Sequence, residues 1–439
     1  MSRVLCLDIG STWTKGALVS EAGAVLGTAQ HPTTLGEVLD GVARVSEALD
    51  ATDAEVLTCS SAGGGLRLAV VGHERLISAE AGRLVALSSG AKVVHVSAGE
   101  LDPAGVRGLR AARPDVLLLV GGTDGGDAKV LSHNAKRLAA ARITAPIVLA
   151  GNREARDAVE ETLTATGRTV VPTDNVLPDV GELAPGPARQ AIREVFLRHV
   201  IGGKGLSKRR RFQGMRFGEM VRAVTPDAVL AGVSTVAGAH GGDEAGAVLV
   251  VDVGGATTDV YSAVSTMDDE QERVVALPKD RRTVEGDIGM RGNAVGVVIE
   301  AVAERLLGDI EARELTAVAE IRAAAPGWVP VADTDWAHDV RLAGLAAVIA
   351  LRRHLRLVGG WFGPRGAGLL VLSGGVFRNA GAAHLVTVDA ALSADPVLRP
   401  VLKHARTVVD TDYVLAPAGL HASSGRKSAA GALARSLSH

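Results

Sequence analysis

The stretch Val4-Leu5-Cys6-Leu7-Asp8-Ile9-Gly10-Ser11-Thr12-Trp13-Thr14-Lys15 decides how the rest of the chain is read. Its apolar start reads as a short buried strand, Asp8 ends it, and a Gly/Ser/Thr turn follows at once. Such a turn gathers a carboxylate and several unused backbone N–H groups at one spot, which is the outline of a phosphate and metal site. Gly10 lets the backbone approach an anion, Ser11, Thr12 and Thr14 offer hydroxyls, Lys15 adds positive charge, and Asp8 can hold Mg2+ through its water shell. A strand followed by a tight hairpin accounts for the same residues without any ligand.

The chain repeats the design at Val248-Leu249-Val250-Val251-Asp252-Val253-Gly254-Gly255-Ala256-Thr257-Thr258-Asp259-Val260. Two such hairpins point to two related halves. A nucleotide between them would have its phosphates gripped from both sides, with Asp8 and Asp252 sharing the metal. A third element, Leu369-Leu370-Val371-Leu372-Ser373-Gly374-Gly375, runs a strand into a double glycine suited to close approach of a flat adenosine.

The order of the three elements resembles the superfamily of actin, sugar kinases and heat-shock chaperone ATPases. Carried over by position, Asp8 to Lys15 correspond to its first phosphate loop. Asp252 to Thr258, with Gly254, Gly255, Ala256 and Thr257, correspond to the second, and Ser373, Gly374 and Gly375 to the adenosine loop. The resemblance implies an α/β fold of two actin-like (ribonuclease H-like) ATPase halves around a nucleotide cleft, with ATP and Mg2+ as cofactors; the pattern from about Ala81 adds an α/β insert in the N-terminal half.

Composition narrows the function classes. A chain of 439 residues is long for one core. Its 47 Lys and Arg against 49 Asp and Glu leave no strong field to gather nucleic acid or an anionic membrane. Apolar runs such as Val116 to Val120 are too short to cross a bilayer, and residues 1–15 read as a strand rather than a signal peptide, so a cytoplasmic protein is expected. Cys6 and Cys59 form no CxxC pair and read as buried free thiols. At 3% aromatic residues the core must be aliphatic, and stacking platforms for single-stranded nucleic acid are missing.

Along the chain, residues 17–20 and 24–30 extend the first strand into a meander before helical 35–49. Residues 56–72 read as two strands flanking the bend Ser60-Ser61-Ala62-Gly63-Gly64-Gly65, which is either a ligand approach or a bare turn. From about Ala81 the pattern alternates helices with short parallel strands at 92–96, 116–120, 147–149 and 169–171, as an open parallel sheet does. The loop Gly121-Gly122-Thr123-Asp124-Gly125-Gly126-Asp127 reads either as a hinge or as a site at a strand's carboxyl end. Residues 172–187 read as an exposed, proline-rich connector. Gly202 to Ser207 fails P-loop spacing, and Lys208 to Arg211 reads as a solvated or partner-facing patch. Glu285 and Asp287 either face the cleft or leave Asp287 to cap the helix that follows, and Tyr413 to Ala416 reads as a late strand. The expected division is 1–84, an N-terminal actin-like half; 85–240, an inserted or appended α/β domain; and 241–439, a C-terminal actin-like half.

The wording of 8–15, 60–66, 120–126, 252–260 and 285–291, with Trp13 in the first loop, is similar to the MutL accessory proteins of glutamate mutase, which are unrelated to the mismatch-repair protein of that name. That resemblance, and not composition or spacing, implies a chaperone or reactivating factor for an adenosylcobalamin-dependent mutase, whose subunits would be the partners; homo-oligomerisation stays open. Lys15 and the backbone N–H groups would stabilise phosphate oxygens, while Asp8 and Asp252 fix Mg2+ and Asp252 orients the attacking water. Two other readings fit the same scaffold. One is a small-molecule kinase with Asp252 as base, the other a regulatory scaffold that holds ATP without turnover.

Overall fold

The computed structural model describes residues 3–34, 36–62, 66–73, 91–201, 206–207, 210–240, 246–263, 280–358 and 365–438, with Ala79, Gly82, Val85 and Phe362 singly. Of the sequence expectations, the glycines of the 60–66 bend, most of 202–207, and Lys208 and Arg209 lie outside these residues.

The first strands are β1 (Arg3–Ile9), β2 (Trp13–Ser20), β3 (Val25–Pro32) and β4 (Glu55–Ser60). Next come β5 (Arg67–Gly72), β6 (Lys92–Ala98), β7 (Val116–Leu119), β8 (Ile147–Leu149), β9 (Val170–Pro172) and β10 (Val221–Val224). The last five are β11 (Ala247–Val253), β12 (Thr258–Ala263), β13 (Asp280–Glu285), β14 (Ala367–Ser373) and β15 (Arg406–Val409).

Two sheets share one topology. The first has the order β10-β4-β1-β2-β3 and the second β13-β12-β11-β14-β15. In each, a strand is flanked by an antiparallel hairpin partner on one side and parallel strands on the other. This is the ribonuclease H-like half of an actin-like fold, present twice. The third sheet, β6-β5-β7-β8-β9, is parallel throughout, with aliphatic cores against both faces.

Two strands pair away from where their sequence position grouped them. β5, placed with the first 84 residues, joins the third sheet, and β10, placed with the insert, returns to the edge of β4. Local pattern does not choose a parallel neighbour, so both pairings are tertiary. The expected strand at 413–416 is corrected to a turn leading into the helix Leu415–Ser423. There the Asp410 carboxylate accepts from Val414 N at 2.6 Å, Tyr413 takes φ +56, and Pro417 falls in the first helical turn, where its missing N–H costs nothing. The connector at 172–187 is not wholly exposed, since Asn175, Val176 and Leu177 are buried.

The period-2 alternation of strands sorts each central strand between two cores. Leu5, Leu7 and Ile9 face the core of the first half, and Leu249, Val251 and Val253 that of the second. Val4, Cys6, Val248 and Val250 face a third core, which joins the halves through the helices Thr225–Ala239 and Leu415–Ser423. By the same parity Asp8 and Asp252 lie on the faces that the halves turn toward each other. The two helices cross backbone to backbone. A Cβ on Gly232 would overlap the Leu415 carbonyl oxygen, and one on Gly419 would overlap that of Ala228, each one turn before the opposite glycine.

Arg353 takes up both carboxylates expected at the cleft or as caps, binding Glu285 at 2.8 Å and Asp287 at 2.9 Å. No described helix is long and apolar enough to cross a membrane. Gly232→Ala should destabilise the protein by about 3 kcal/mol in urea unfolding, since backbone cannot yield to an added methyl. Gly238→Ala, in the same helix but with open space around it, should be neutral or gain about 0.5 kcal/mol. His354 supplies a pH test. It is buried between Thr283 Oγ1 at 3.0 Å and Ser262 Oγ at 2.9 Å, and burial, with Arg281 adding, pushes it down to about 3. Below pH 6.5 the unfolded chain takes up a proton that the native ring refuses, so stability is level above neutrality and falls on acidification. The expected loss from this group is about 2 kcal/mol between pH 7 and pH 5, and His354→Gln should flatten the profile.

Candidate functional site between the two hairpins

Both hairpins close in the same way. Gly10 N donates to Trp13 O at 3.0 Å, and Gly254 N to Thr257 O at 2.9 Å. A Cβ on either glycine would sit 2.8 or 2.9 Å from that carbonyl oxygen, which is why both turns open on glycine. Each carboxylate stands two residues before its turn. Across the hairpin Asp8 faces Lys15, whereas Asp252 faces Asp259. The turns meet: a Cβ on Gly255 would lie 3.6 Å from Thr12 Oγ1. Ser11, Thr12 and Ala256 are exposed, and among the described residues no hydrogen bond takes the N–H groups of Ser11, Thr12, Gly255 or Ala256.

The hydroxyls divide into two sets. Thr14 and Thr258 are buried and point into the fold, Thr14 to Thr33 Oγ1 at 3.1 Å and Thr258 to Ile288 O at 3.3 Å. Thr257 is half-buried and donates to Asp259 Oδ2 at 3.3 Å. Thr33, which no motif marked, also donates to Gly10 O at 2.9 Å and braces the first turn. Asn293 does the same for the second, donating to Ala256 O at 2.6 Å and Gly286 O at 3.0 Å, while Met290 N and Arg291 N bond Gly254 O and Gly255 O.

The two carboxylates differ in environment. Asp8 is 3% exposed; its Oδ1 accepts from Thr225 Oγ1, its Oδ2 from the Tyr413 hydroxyl, and Lys15 Nζ lies 3.8 Å from Oδ2. Burial, reinforced by the Asp8 charge, pushes the Tyr413 phenol well up, so it stays a donor. Cys59 is a weak fourth neighbour of Asp8 at 3.8 Å, and its thiol is pushed well up by burial; Cys6, another buried thiol, is raised to about 12. Asp252 is half-buried and has no hydrogen bond or ion pair among the described residues. Its neighbour Asp259, raised by burial, is neutralised by Arg282 at 2.9 and 2.5 Å. Among the described residues no group of three or more His, Cys, Asp or Glu gathers as a metal site. By donor chemistry alone, Asp8 and Asp252 are carboxylates of the kind that would hold a Mg2+ keeping much of its hydration.

Ser373 ends β14 in register with Asp252. Gly374 has φ +119, and its Cβ would overlap Val253 O, whereas Gly375 is exposed with open space around it. Gly374 therefore serves the backbone, and Gly375 is the glycine that faces outward. The loop 121–127 spends its polar groups internally: Asp124 accepts from Asn175 at 2.9 Å and Arg153 N at 3.0 Å, and Asp127 from Lys129 N at 2.8 Å. In the basic run, Arg210 pairs with Asp40 at 2.7 Å and Arg211 bonds Gly214 O at 2.7 Å.

A family model described as MutL protein matches residues 4–437. Protein MutL from Clostridium tetanomorphum is 34% identical over 382 residues, covering 83% of this chain and 81% of that one. Among solved structures, xylulose kinase from Rhodospirillum rubrum is 15% identical with a TM-score of 0.34, covering 98% of this chain and 92% of that one. A ROK family glucokinase from Streptomyces griseus, in complex with glucose and AMPPNP, is 14% identical with a TM-score of 0.33, covering 99% and 100%. The fold is defined by the strand order that the two equivalent sheets share. Gly374→Ala should lower stability by about 2 kcal/mol, because the left-handed backbone and the Val253 carbonyl both resist a side chain, while Gly375→Ala should leave the thermal midpoint unchanged.

Proposed function

The chain belongs to the MutL protein family, and on that premise we propose that it binds Mg-ATP between its two hairpin turns, hydrolyses it slowly, and reactivates an adenosylcobalamin-dependent mutase of the glutamate mutase kind. The observation that carries the nucleotide reading is the approach of Gly255 to Thr12, which brings together two turns whose N–H groups are unused among the described residues, each turn preceded by a carboxylate. The mutase link comes from the family resemblance of the loops, and the Mg2+ from the carboxylates.

In this reading the N–H groups of Ser11, Thr12, Gly255 and Ala256 donate to phosphate oxygens, and Lys15 neutralises their charge. Bound Mg2+ supplies charge neutralisation at the terminal phosphates. Asp252, the carboxylate without a protein partner among the described residues, orients the attacking water. Gly375 lies toward the adenosine. Loss of the terminal phosphate removes the ligand shared by the two turns, and the halves then separate about the crossing helices. That motion, coupled to the mutase, would release a damaged cobalamin.

Two variants test the reading. Asp252→Ala should lower ATP turnover about a hundredfold or more, and Asp8→Ala should weaken Mg2+-dependent binding or turnover by a similar factor. With ATP and Mg2+, the wild type should restore activity to an inactivated adenosylcobalamin mutase, and Asp252→Ala should fail to do so. Unchanged binding and turnover in both variants would remove the cleft assignment. Fast ADP release dependent on a sugar, acid or amino-acid acceptor, with no effect on a mutase, would instead make the protein a kinase.

A further inference from the structure

Tyr413 belongs to none of the motifs, yet it touches both halves of the cleft. It stands two residues before the helix Leu415–Ser423 and donates its hydroxyl to Oδ2 of Asp8. The other oxygen of Asp8 accepts from Thr225, the first residue of the opposite crossing helix. On the Tyr413 ring lie Lys15 Nζ and the Arg378 guanidinium, each 4.9 Å from the centroid. Lys15 comes from the first hairpin, and Arg378 from the short helix that follows Ser373 and Gly374. The residue's φ of +56 is a conformation that bulky side chains rarely adopt, and Asp410 braces it by accepting from Val414 N at 2.6 Å. Strain kept at a buried junction of three polar partners points to a task for the side chain.

We propose that Tyr413 is a positioning residue that fixes the Asp8 carboxylate and ties its orientation to the crossing helices, a role that rests on the Mg-ATP reading of the cleft. A carboxylate that serves a hydrated cation must be aimed, and its rotation stops only when both oxygens are held. Thr225 holds one and Tyr413 the other. Arriving phosphates attract Lys15 and Arg378 away from the ring, so occupancy of the cleft alters the packing of a residue whose backbone leads into a crossing helix. Asp8 thereby becomes the point at which nucleotide loading and hinge geometry meet.

The test uses the full chain and Tyr413→Phe, which keeps the ring and its two cations but removes the hydroxyl. The Mg2+ concentration for half-maximal ATP binding should rise at least about fivefold, while ATP affinity in EDTA stays within about twofold, because only the carboxylate has lost a charge-assisted bond. Hydrogen exchange supplies the coupling readout: Mg-ATP should protect Thr225–Ala239 and Leu415–Ser423 in the wild type, and that protection should be lost in Tyr413→Phe under conditions where ATP is still bound. Thr225→Val, which removes the other donor, should shift the Mg2+ requirement in the same direction, and it decides the matter alone if Tyr413→Phe gives no cooperative melt. An unchanged Mg2+ requirement would overturn the proposal, as would a lower one, which would mean that the phenol competes with the cation. A wild type that fails to bind ATP with or without Mg2+ would overturn the cleft reading and this role with it; a wild type that binds normally beside an unaltered variant would overturn this role only.

Discussion

Everything at the site depends on two helices approaching closely enough to touch backbone to backbone. Gly232 and Gly419 permit it, each lying against a carbonyl oxygen of the other helix where a methyl group would not fit. Glycine inside a helix costs about 0.5–1 kcal/mol relative to alanine, so the contact must return more than local propensity loses. What it returns is the third core, in which Val4 and Cys6 of one sheet and Val248 and Val250 of the other pack around the same pair of helices. Without that core the two hairpin turns have no fixed relation to each other. With it, Asp8 and Asp252 face the same space by the parity of their strands.

The two hairpins share a backbone but differ in electrostatics. In the first, Lys15 stands opposite Asp8 and the carboxylate is enclosed by hydroxyls from the first residue of one crossing helix and from the turn that leads into the other. In the second, Asp259 stands opposite Asp252, Arg282 neutralises Asp259, and Asp252 is left without a protein partner among the described residues. One carboxylate is thus held by hydroxyls next to the crossing helices, and the other is half-buried without such a partner among the described residues. A duplicated fold holds two different electrostatic environments at equivalent positions, set in part by the residue across the strand from each Asp.

The parts legible in the sequence were those whose causes are local. An apolar run, an Asp and a glycine turn within about ten residues named both hairpins, and the double glycine after β14 named the third element. Nothing local announced that β5 would leave the first sheet or that β10 would return to it more than 150 positions later, since parallel pairing is decided by packing. Val414-Leu415-Ala416 has a strand's composition, and only the Asp410 brace and the left-handed Tyr413 turn it into a helix start. Within the site, Thr225, Tyr413, Thr33 and Asn293 carry no motif because each acts through a bond to a distant residue. Asp8 and Tyr413 are separated by 405 positions. Gly374 and Gly375 look alike in sequence, and only the Val253 carbonyl distinguishes the backbone glycine from the outward one.

The central claim is that both turns grip one nucleotide. A crystal structure of the full chain with Mg2+ and a non-hydrolysable ATP analogue tests it most directly. The account predicts phosphate oxygens within hydrogen-bonding distance of N–H groups in both the Gly10–Trp13 and the Gly254–Thr257 turns, with the cation between Asp8 and Asp252. A nucleotide held by one turn alone, or seated at the 121–127 loop of the third sheet, would contradict it.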